Sequence, residues 1–416
     1  MNRSHPAGLR VLLLTHYYAP ELGAPQTRLR ETVRQLDRLG LSVRVVTGPP
    51  HYPDGKVRPG YTARRPTREQ IDGVPVLRLP MLPRRNGGFL DRTLDQGSFA
   101  AAALAALDEV RWADVLLVES PPLFLGLTAV AHNLASRRPY IFHVADPWPD
   151  FPIAMGAIPS PIVRRTAYAI EAVAYRRARL ITTVTPGLVA LLDAKPSARG
   201  KVRLLPNAVD VAGFDHRVDP VAARARLGWP DARLTLVYAG SVGLAQGLGT
   251  LLDAFRGTSD AGVLVHVVGE GFERDALAGE ARRAGIDAVR FEAPVPRDSI
   301  PTVLAAADAI LVLLRTGPLH EHSLPTKLLE GLAAGRPLVV SAAGESARIV
   351  SEAGAGIVCA PEQSSALAAA IARLARTGTS ERAAMGSAAR QLAASGYDRP
   401  AIVARLAGYL AEAAGR

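Results

Sequence analysis

The chain has 416 residues, 48% of them hydrophobic and 21% charged, with a single cysteine. At roughly 150 residues per domain, this length favours two or three domains, each able to bury a core. The formal net charge is +11, and it is uneven: residues 1–206 hold 28 Lys and Arg against 16 Asp and Glu, the remainder 21 against 22.

No segment approaches the ~18 uninterrupted apolar residues of a membrane span. The first apolar run, Val11 to Leu14, is too short for a signal-peptide core. A cytoplasmic protein is expected, with peripheral contact to the inner membrane face open through its basic half. Cys359 stands alone, which rules out an internal disulfide and a cysteine-based zinc site. The nine histidines show no HExxH spacing, so no protein-built metal centre is expected. Paired arginines stud the first half at Arg64-Arg65, Arg84-Arg85, Arg137-Arg138, Arg164-Arg165 and Arg176-Arg177. Such charge suits nucleic acid, an anionic membrane surface or an acidic substrate, or is simply a solvated surface. No recognised nucleic-acid motif accompanies it, so nucleic acid is not expected as a partner.

Short apolar runs alternate with helical patterns almost throughout. Leu9 to Thr15 reads as a strand, Thr27 to Leu39 as a helix stopped by Gly40, and Ser42 to Thr47 as the next strand. Pro49 to Arg68 has no helical period and reads as a long loop, often functional in a compact domain. Asp114 to Glu119, Tyr140 to Ala145 and Arg179 to Thr185 continue the strands. A second series runs through Leu234 to Ala239, Gly262 to Val268, Ala309 to Leu314, Pro337 to Ser341 and Gly356 to Val358. Between the series, Leu205 to Asp210 leads into an irregular stretch ending near Arg233, the best domain boundary; Tyr397 to Ala414 is helical. The alternation predicts an α/β fold of two doubly wound parallel sheets, whose ligands bind at the carboxyl edges of the strands.

The densest local signal is His320-Glu321-His322-Ser323-Leu324-Pro325-Thr326-Lys327-Leu328-Leu329-Glu330-Gly331-Leu332-Ala333-Ala334-Gly335-Arg336-Pro337. Pro325 suits a helix start and Gly335 a helix end. A lysine in the first turn opposes the helix dipole unless an anion, such as a diphosphate, sits there. Glu330, three residues on, shares a face with Lys327, and its carboxylate can accept two ribose hydroxyls. The plain alternative is a surface Lys–Glu pair. Gly240-Ser241-Val242-Gly243 follows a strand, and its backbone N–H groups suit a phosphate. Gly23, in the loop Tyr18 to Gln26, allows close backbone approach to a ligand. His143 and Asp146 end another strand at the sheet's carboxyl edge, where Asp146 can orient or deprotonate an acceptor hydroxyl. The alternatives are a satisfied buried histidine and a structural turn around Pro147 and Trp148. His51-Tyr52-Pro53 opens the long loop.

These residues resemble the family 4 glycosyltransferases of GT-B fold, nearest the bacterial colanic-acid, O-antigen and capsule type. The resemblance also covers Thr15-His16-Tyr17-Tyr18-Ala19-Pro20-Glu21, Asp146-Pro147-Trp148-Pro149-Asp150, Pro206-Asn207-Ala208-Val209-Asp210, Tyr238-Ala239-Gly240-Ser241 and Gly269-Glu270-Gly271. It implies GT-B architecture, two Rossmann-like domains facing across a cleft: an acceptor-binding domain at 1–206, a donor-binding domain at 207–396, and a terminal helix at 397–416 packing back on the first. It implies transfer of a sugar from a UDP-sugar, of N-acetylhexosamine type, to an acceptor hydroxyl, with retained configuration and no required metal or other cofactor. Glu330 matches the second Glu of the family's E-x7-E motif. The first should fall at His322, with Glu321 one residue off, so the sugar-contacting role is divided between them. Lys327 matches a basic residue near the diphosphate. Relatives often carry Lys or Arg just after the glycine loop, whereas this chain has Leu244, Ala245 and Gln246; Lys327 and Arg315 must then carry the charge.

Asp146, His143, Glu321 and His322 are thus the catalytic candidates, and Gly23, Gly240, Ser241, Gly243, Arg315, Lys327 and Glu330 the donor set. His16, His51 and Tyr52 fall to the acceptor side. The acceptor is a glycan or glycolipid in cell-surface assembly, or a soluble natural product or metabolite. A nucleotide-sugar 2-epimerase and a noncatalytic nucleotide-sugar-binding partner remain as rivals.

Overall fold

The computed structural model describes residues 8–21, 23–52, 54–85, 88–214, 218–229, 233–256 and 262–416. Pro53, singled out with His51 and Tyr52, lies outside them. The chain forms two compact units, residues 1–207 with 400–416, and residues 208–399.

The first unit holds β1 (Arg10–Leu14), β2 (Ser42–Thr47), β3 (Thr67–Ile71), β4 (Val74–Arg78), β5 (Val115–Ser120), β6 (Tyr140–Val144), β7 (Leu180–Thr183) and β8 (Val202–Leu204). They lie in the order β3-β4-β2-β1-β5-β6-β7-β8, parallel except where β3 runs antiparallel to β4. Its central strands are apolar runs buried along their length, the pattern of a parallel sheet covered by helices on both faces. The order reverses direction between β1 and β5, so the loops after these two strands border the crevice where such sheets bind ligands.

The hairpin β3–β4 was absent from the expected strands. Its turn is Asp72-Gly73, both at positive φ (52° and 81°), the two-residue geometry that an Asp-Gly pair favours. Thr67 and Arg68, expected in the long loop, belong to β3. The hairpin brings in Arg78, which is 1% exposed. Its guanidinium pairs with Glu69, donates to the Gly48 carbonyl at 2.8 Å and the Ala19 carbonyl at 2.5 Å, and so ties the loops after β1 and β2 to the sheet edge. The helix Arg399–Ala414 closes this unit: Tyr409 Oη donates to the Leu204 carbonyl at 3.2 Å, and Arg416 meets Asp114 at 3.2 Å.

The second unit holds β9 (Leu234–Ala239), β10 (Val263–Val268), β11 (Val289–Glu292), β12 (Ala309–Leu313), β13 (Leu338–Ser341) and β14 (Gly356–Cys359). All are parallel, in the order β11-β10-β9-β12-β13-β14. The reversal falls between β9 and β12, whose following loops carry Gly240 to Gly243 and Arg315.

Replacing Arg78 with Met strands the Glu69 carboxylate and two backbone carbonyls. Because Glu69 keeps 29% exposure, solvent softens the loss. We expect destabilisation of roughly 2–3 kcal/mol in urea unfolding, and less for Glu69→Gln, which leaves the guanidinium its carbonyl partners.

Candidate active site

In the second unit, the helix Thr326–Ala333 starts after Pro325, which takes the capping position with φ −69° and ψ 147°. No side chain caps its first N–H groups. Gly335 follows its end at φ 65°. Lys327 lies in the first turn but does not point to open solvent. Among the described residues its ammonium forms no ion pair; it contacts the Tyr238 hydroxyl and lies 4.0 Å from the centroid of that ring. Tyr238 in turn donates to the Ser241 carbonyl at 2.5 Å. Desolvation lowers the Lys327 pKa to about 7, against a smaller upward pull from Glu330. A lysine so placed favours an arriving anion, because the anion restores its charge.

The same lysine packs on Gly240: a side chain built there would meet Lys327 Cε at 3.0 Å and Nζ at 3.1 Å, and φ at Gly240 is +145°. Gly269 approaches from the loop after β10; a Cβ on it would lie 2.0 Å from the Gly240 carbonyl oxygen, and its φ is +151°. Glycine at both positions lets two loops and the lysine converge. Among the expected phosphate donors, the N–H groups of Gly240 and Gly243 are engaged, by the Val268 carbonyl at 3.0 Å and Gln246 Oε1 at 3.2 Å. Val242 N–H likewise donates to the Glu270 carbonyl at 2.8 Å. The loop therefore offers fewer free donors than its sequence suggests, and Ser241 is its exposed residue.

Glu330 is 5% exposed, so the pair is no solvated surface couple. Burial raises its pKa, and Arg297, then Arg399 and Lys327, oppose the rise. Arg297 forms an ion pair with Glu330 Oε1. Sequence reasoning missed Arg297, since a lone arginine far along the chain carries no local signal. Arg315 follows β12 and pairs through Nε with Glu362 Oε1 at 3.2 Å, so part of its charge is already met. Glu321 is exposed and His322 half-buried. Glu321 packs by its backbone against Gly344, where a Cβ would meet the Glu321 carbonyl oxygen at 2.1 Å.

In the first unit, His143 on β6 is buried, with Nδ1 2.9 Å from Thr182 Oγ1 on β7. Desolvation lowers its pKa to about 4, with Glu119 pulling upward and Arg28 downward, so the ring is neutral near pH 7. Asp146, in the bend after β6, has its pKa raised by desolvation and lowered by Arg28. The residue itself remains exposed, so water screens much of the desolvation. Arg28 holds Glu119 at 2.7 Å. It is a second cation that the sequence did not flag.

Gly23 caps the helix Ala24–Arg38 in an extended conformation, and a Cβ there would lie 2.3 Å from Gln26 Oε1. The group approaching Gly23 is thus the buried Gln26. Glu21, also buried, accepts the N–H groups of His51 at 2.7 Å and Tyr52 at 2.8 Å, fastening the long loop to the loop after β1. His16 and His51 are buried, at 2% and 1% exposure, and both turn toward Asp95. Half-buried Tyr52 meets Tyr17 edge-on, ring centroids 5.5 Å apart. Asp95 was not anticipated, and neither was a His–His–Asp cluster in a chain expected to build no metal centre.

The two loop glycines give a contrasting test. Gly269→Ala forces a Cβ into a backbone oxygen and should cost about 2 kcal/mol or more in thermal unfolding, with loss of nucleotide binding. Gly243→Ala meets only the flexible end of Gln246, at 3.4 Å, and should change stability by less than about 1 kcal/mol.

Comparison with known proteins matches the description Glycosyl transferase 4-like domain over residues 23–208 and Glycosyl transferases group 1 over residues 222–392. The chain is 29% identical over 343 residues to a protein named as a colanic acid biosynthesis glycosyl transferase, WcaI, of Escherichia coli (strain K12), covering 80% of this chain and 83% of that one. Among solved structures, sucrose-phosphate synthase from Thermosynechococcus elongatus aligns with a TM-score of 0.76 at 18% identity, over 97% of this chain and 98% of that one. Anabaena HepE in complex with UDP-glucose aligns with a TM-score of 0.70 at 19% identity, over 97% and 100%. The two family matches run through both units and leave the epimerase and the noncatalytic partner without support. With its two doubly wound sheets, its desolvated lysine at a helix start and these likenesses, the chain belongs to the family 4 glycosyltransferases of GT-B fold, retaining enzymes that use a nucleotide-sugar donor.

Proposed function

We propose that the enzyme moves a sugar, of N-acetylhexosamine type, from a UDP-sugar to an acceptor hydroxyl in cell-surface polysaccharide or glycolipid assembly. The observation that carries this reading is Lys327: a buried-edge ammonium over Gly240 and Tyr238, at an uncapped helix start, one turn from the Glu330 carboxylate. A diphosphate is the anion that fits there. As the bond to the sugar breaks, charge gathers on the leaving diphosphate, and Lys327 with the helix N–H groups meets it without reorganising. Glu330, held by Arg297, takes the ribose hydroxyls. Glu321 and His322 share the sugar side, and Ser241, Gly243 and Arg315 border the phosphates. UDP and the polysaccharide setting are supported by the ligand named for the HepE structure and by the name of WcaI.

On the acceptor side, Asp146 orients or deprotonates the hydroxyl, with neutral His143 behind it. Tyr52, backed by Tyr17, offers an aromatic edge to a glycan. His16 and His51 act by holding the loop that carries Tyr52. Residues 1–206 serve the acceptor and 207–396 the donor.

No helix among the described residues is long and apolar enough to cross a membrane. Exposed Ile162 and Val163 immediately precede Arg164-Arg165, and exposed Leu82 and Leu90 stand on either side of Arg84-Arg85 along the chain. Apolar side chains set among arginines suit the anionic inner face of a membrane, where a lipid-linked acceptor resides.

Three outcomes test this. A thermal-shift screen of nucleotides should single out UDP and one UDP-sugar, and Glu330→Gln should weaken that binding by about 10-fold or more; unchanged binding and turnover in this variant would undo the donor assignment. Because an anion favours protonated Lys327 and its pKa is about 7, UDP affinity should be greatest below pH 7. Above that it should fall by up to about 10-fold per pH unit, as titration calorimetry would read. Lys327→Met should bind weakly with a flat profile between pH 7 and 9. Finally, Glu at Arg84, Arg85, Arg164 and Arg165 should cut association with anionic vesicles by at least about 100-fold at low salt and leave binding to neutral vesicles unaltered.

A further inference from the structure

Three buried side chains from separate parts of the first unit converge: His16 after β1, His51 after β2, and Asp95 in the helix Phe89–Ala102. Each offers one donor atom, and these atoms all lie within 4.8 Å of one another. His51 Nδ1 stands 2.8 Å from the Pro49 carbonyl, which can only accept, so Nδ1 carries the proton in the neutral ring. The neutral ring would set its Nε2 lone pair against Asp95 Oδ1 at 3.0 Å, acceptor against acceptor. Burial lowers the His51 pKa, and Asp95 and the Pro49 carbonyl more than reverse that, so the site draws a positive charge to this point. His16 Nε2 stands 3.2 Å from the other carboxylate oxygen, Oδ2. Neither contact has the alignment of an N–H···O hydrogen bond: both Nε2 atoms, and His16 Nδ1, lack a hydrogen-bond partner among the described residues. Buried imidazole nitrogens are rarely left so.

We propose that His16, His51 and Asp95 form a structural divalent-cation site, of a type suited to Zn2+. Ligand atoms around a tetrahedral zinc, bonded at ~2.0–2.1 Å, stand about 3.3 Å apart. The two nitrogen–oxygen separations, 3.0 and 3.2 Å, lie near that spacing. A shared cation satisfies nitrogens that point at the carboxylate off the hydrogen-bonding line, as a proton does not. The support around the ligands has the form of a metal shell. The Pro49 carbonyl fixes the His51 tautomer, and the Arg84 N–H donates to Asp95 Oδ1 at 3.1 Å. Tyr17 Oη, 3.5 Å from Asp95 Oδ2, stands beside the remaining position, which it or a water fills. Asp95 and nearby Glu21 supply two negative charges against the cation's two positive ones. The ligand side chains are at most 4% exposed, so the ion is a staple joining three segments and no participant in sugar transfer.

The test needs no substrate. The full-length chain, stripped with a chelator and dialysed against Zn2+, should bind one zinc per chain by elemental analysis. Its unfolding midpoint should rise by on the order of 5 °C at saturating Zn2+. Co2+ in its place should give the visible absorption of a tetrahedral nitrogen–oxygen site. His51→Gln and Asp95→Asn should each lose zinc by at least about 10-fold in affinity and show no shift. If either variant fails to fold, the wild-type stoichiometry and cobalt spectrum still decide. Folded wild-type protein that takes up no Zn2+, Co2+ or Mn2+ and shows no metal-dependent shift would overturn the proposal in favour of a proton-bridged cluster. UDP binding, measured on the same samples, reports the second unit separately, so failure of the zinc site and failure of the donor reading are distinct results.

Discussion

The energetic centre of the second unit is an ammonium group that protein atoms have partly stripped of water. Lys327 gains a hydroxyl and an aromatic face from Tyr238, which offset only part of that loss, and its pKa falls to about 7. A group in this condition is a reservoir: its charge returns when an anion arrives, so part of the desolvation cost already met in folding is recovered on binding. The surrounding architecture serves this arrangement. Gly240 must lack a side chain for the lysine to lie over it, Gly269 must lack one for its loop to reach Gly240, and the uncapped helix start supplies a dipole of the same sign as the lysine. Two like electrostatic sources at one point suit a negative ligand, the diphosphate proposed above.

The first unit is organised by acidic groups in place of a lysine. Glu21 and Asp95 are both buried: Glu21, itself after β1, accepts two backbone N–H groups of the loop after β2, and Asp95 meets an imidazole from each of these loops. Arg78 does the complementary work from the hairpin, reaching two backbone carbonyls. Loops of this length would otherwise retain much conformational freedom. Buried ionic contacts hold them in one shape at the sheet's carboxyl edge, the side on which sheets of this kind bind ligands.

Most strands were legible as apolar runs because parallel strands, covered on both faces, need almost unbroken hydrophobic sequence. Ser42–Thr47 and Leu234–Ala239 begin and end where their residues predict. The strands that escaped are at or near edges. β3, β8 and β11 are short and only partly buried, so they lack the run. The β3–β4 hairpin nonetheless carried a readable signal in Asp72-Gly73, since both residues must adopt positive φ.

The sequence by itself determined the two doubly wound sheets, the helix from Thr326 to Ala333, and the lysine, glutamate and glycines grouped at its approach. These are encoded locally, by periodicity and by residues whose backbone or charge restricts where they sit. The tertiary structure decided which partners those groups have: Tyr238 beneath Lys327, Arg297 on Glu330, and Asp95 between His16 and His51. Such pairings join residues up to about ninety positions apart, and nothing in a local pattern specifies which distant side chain will fill a desolvated neighbour's need. Only the packing of strands and loops in three dimensions assigns it.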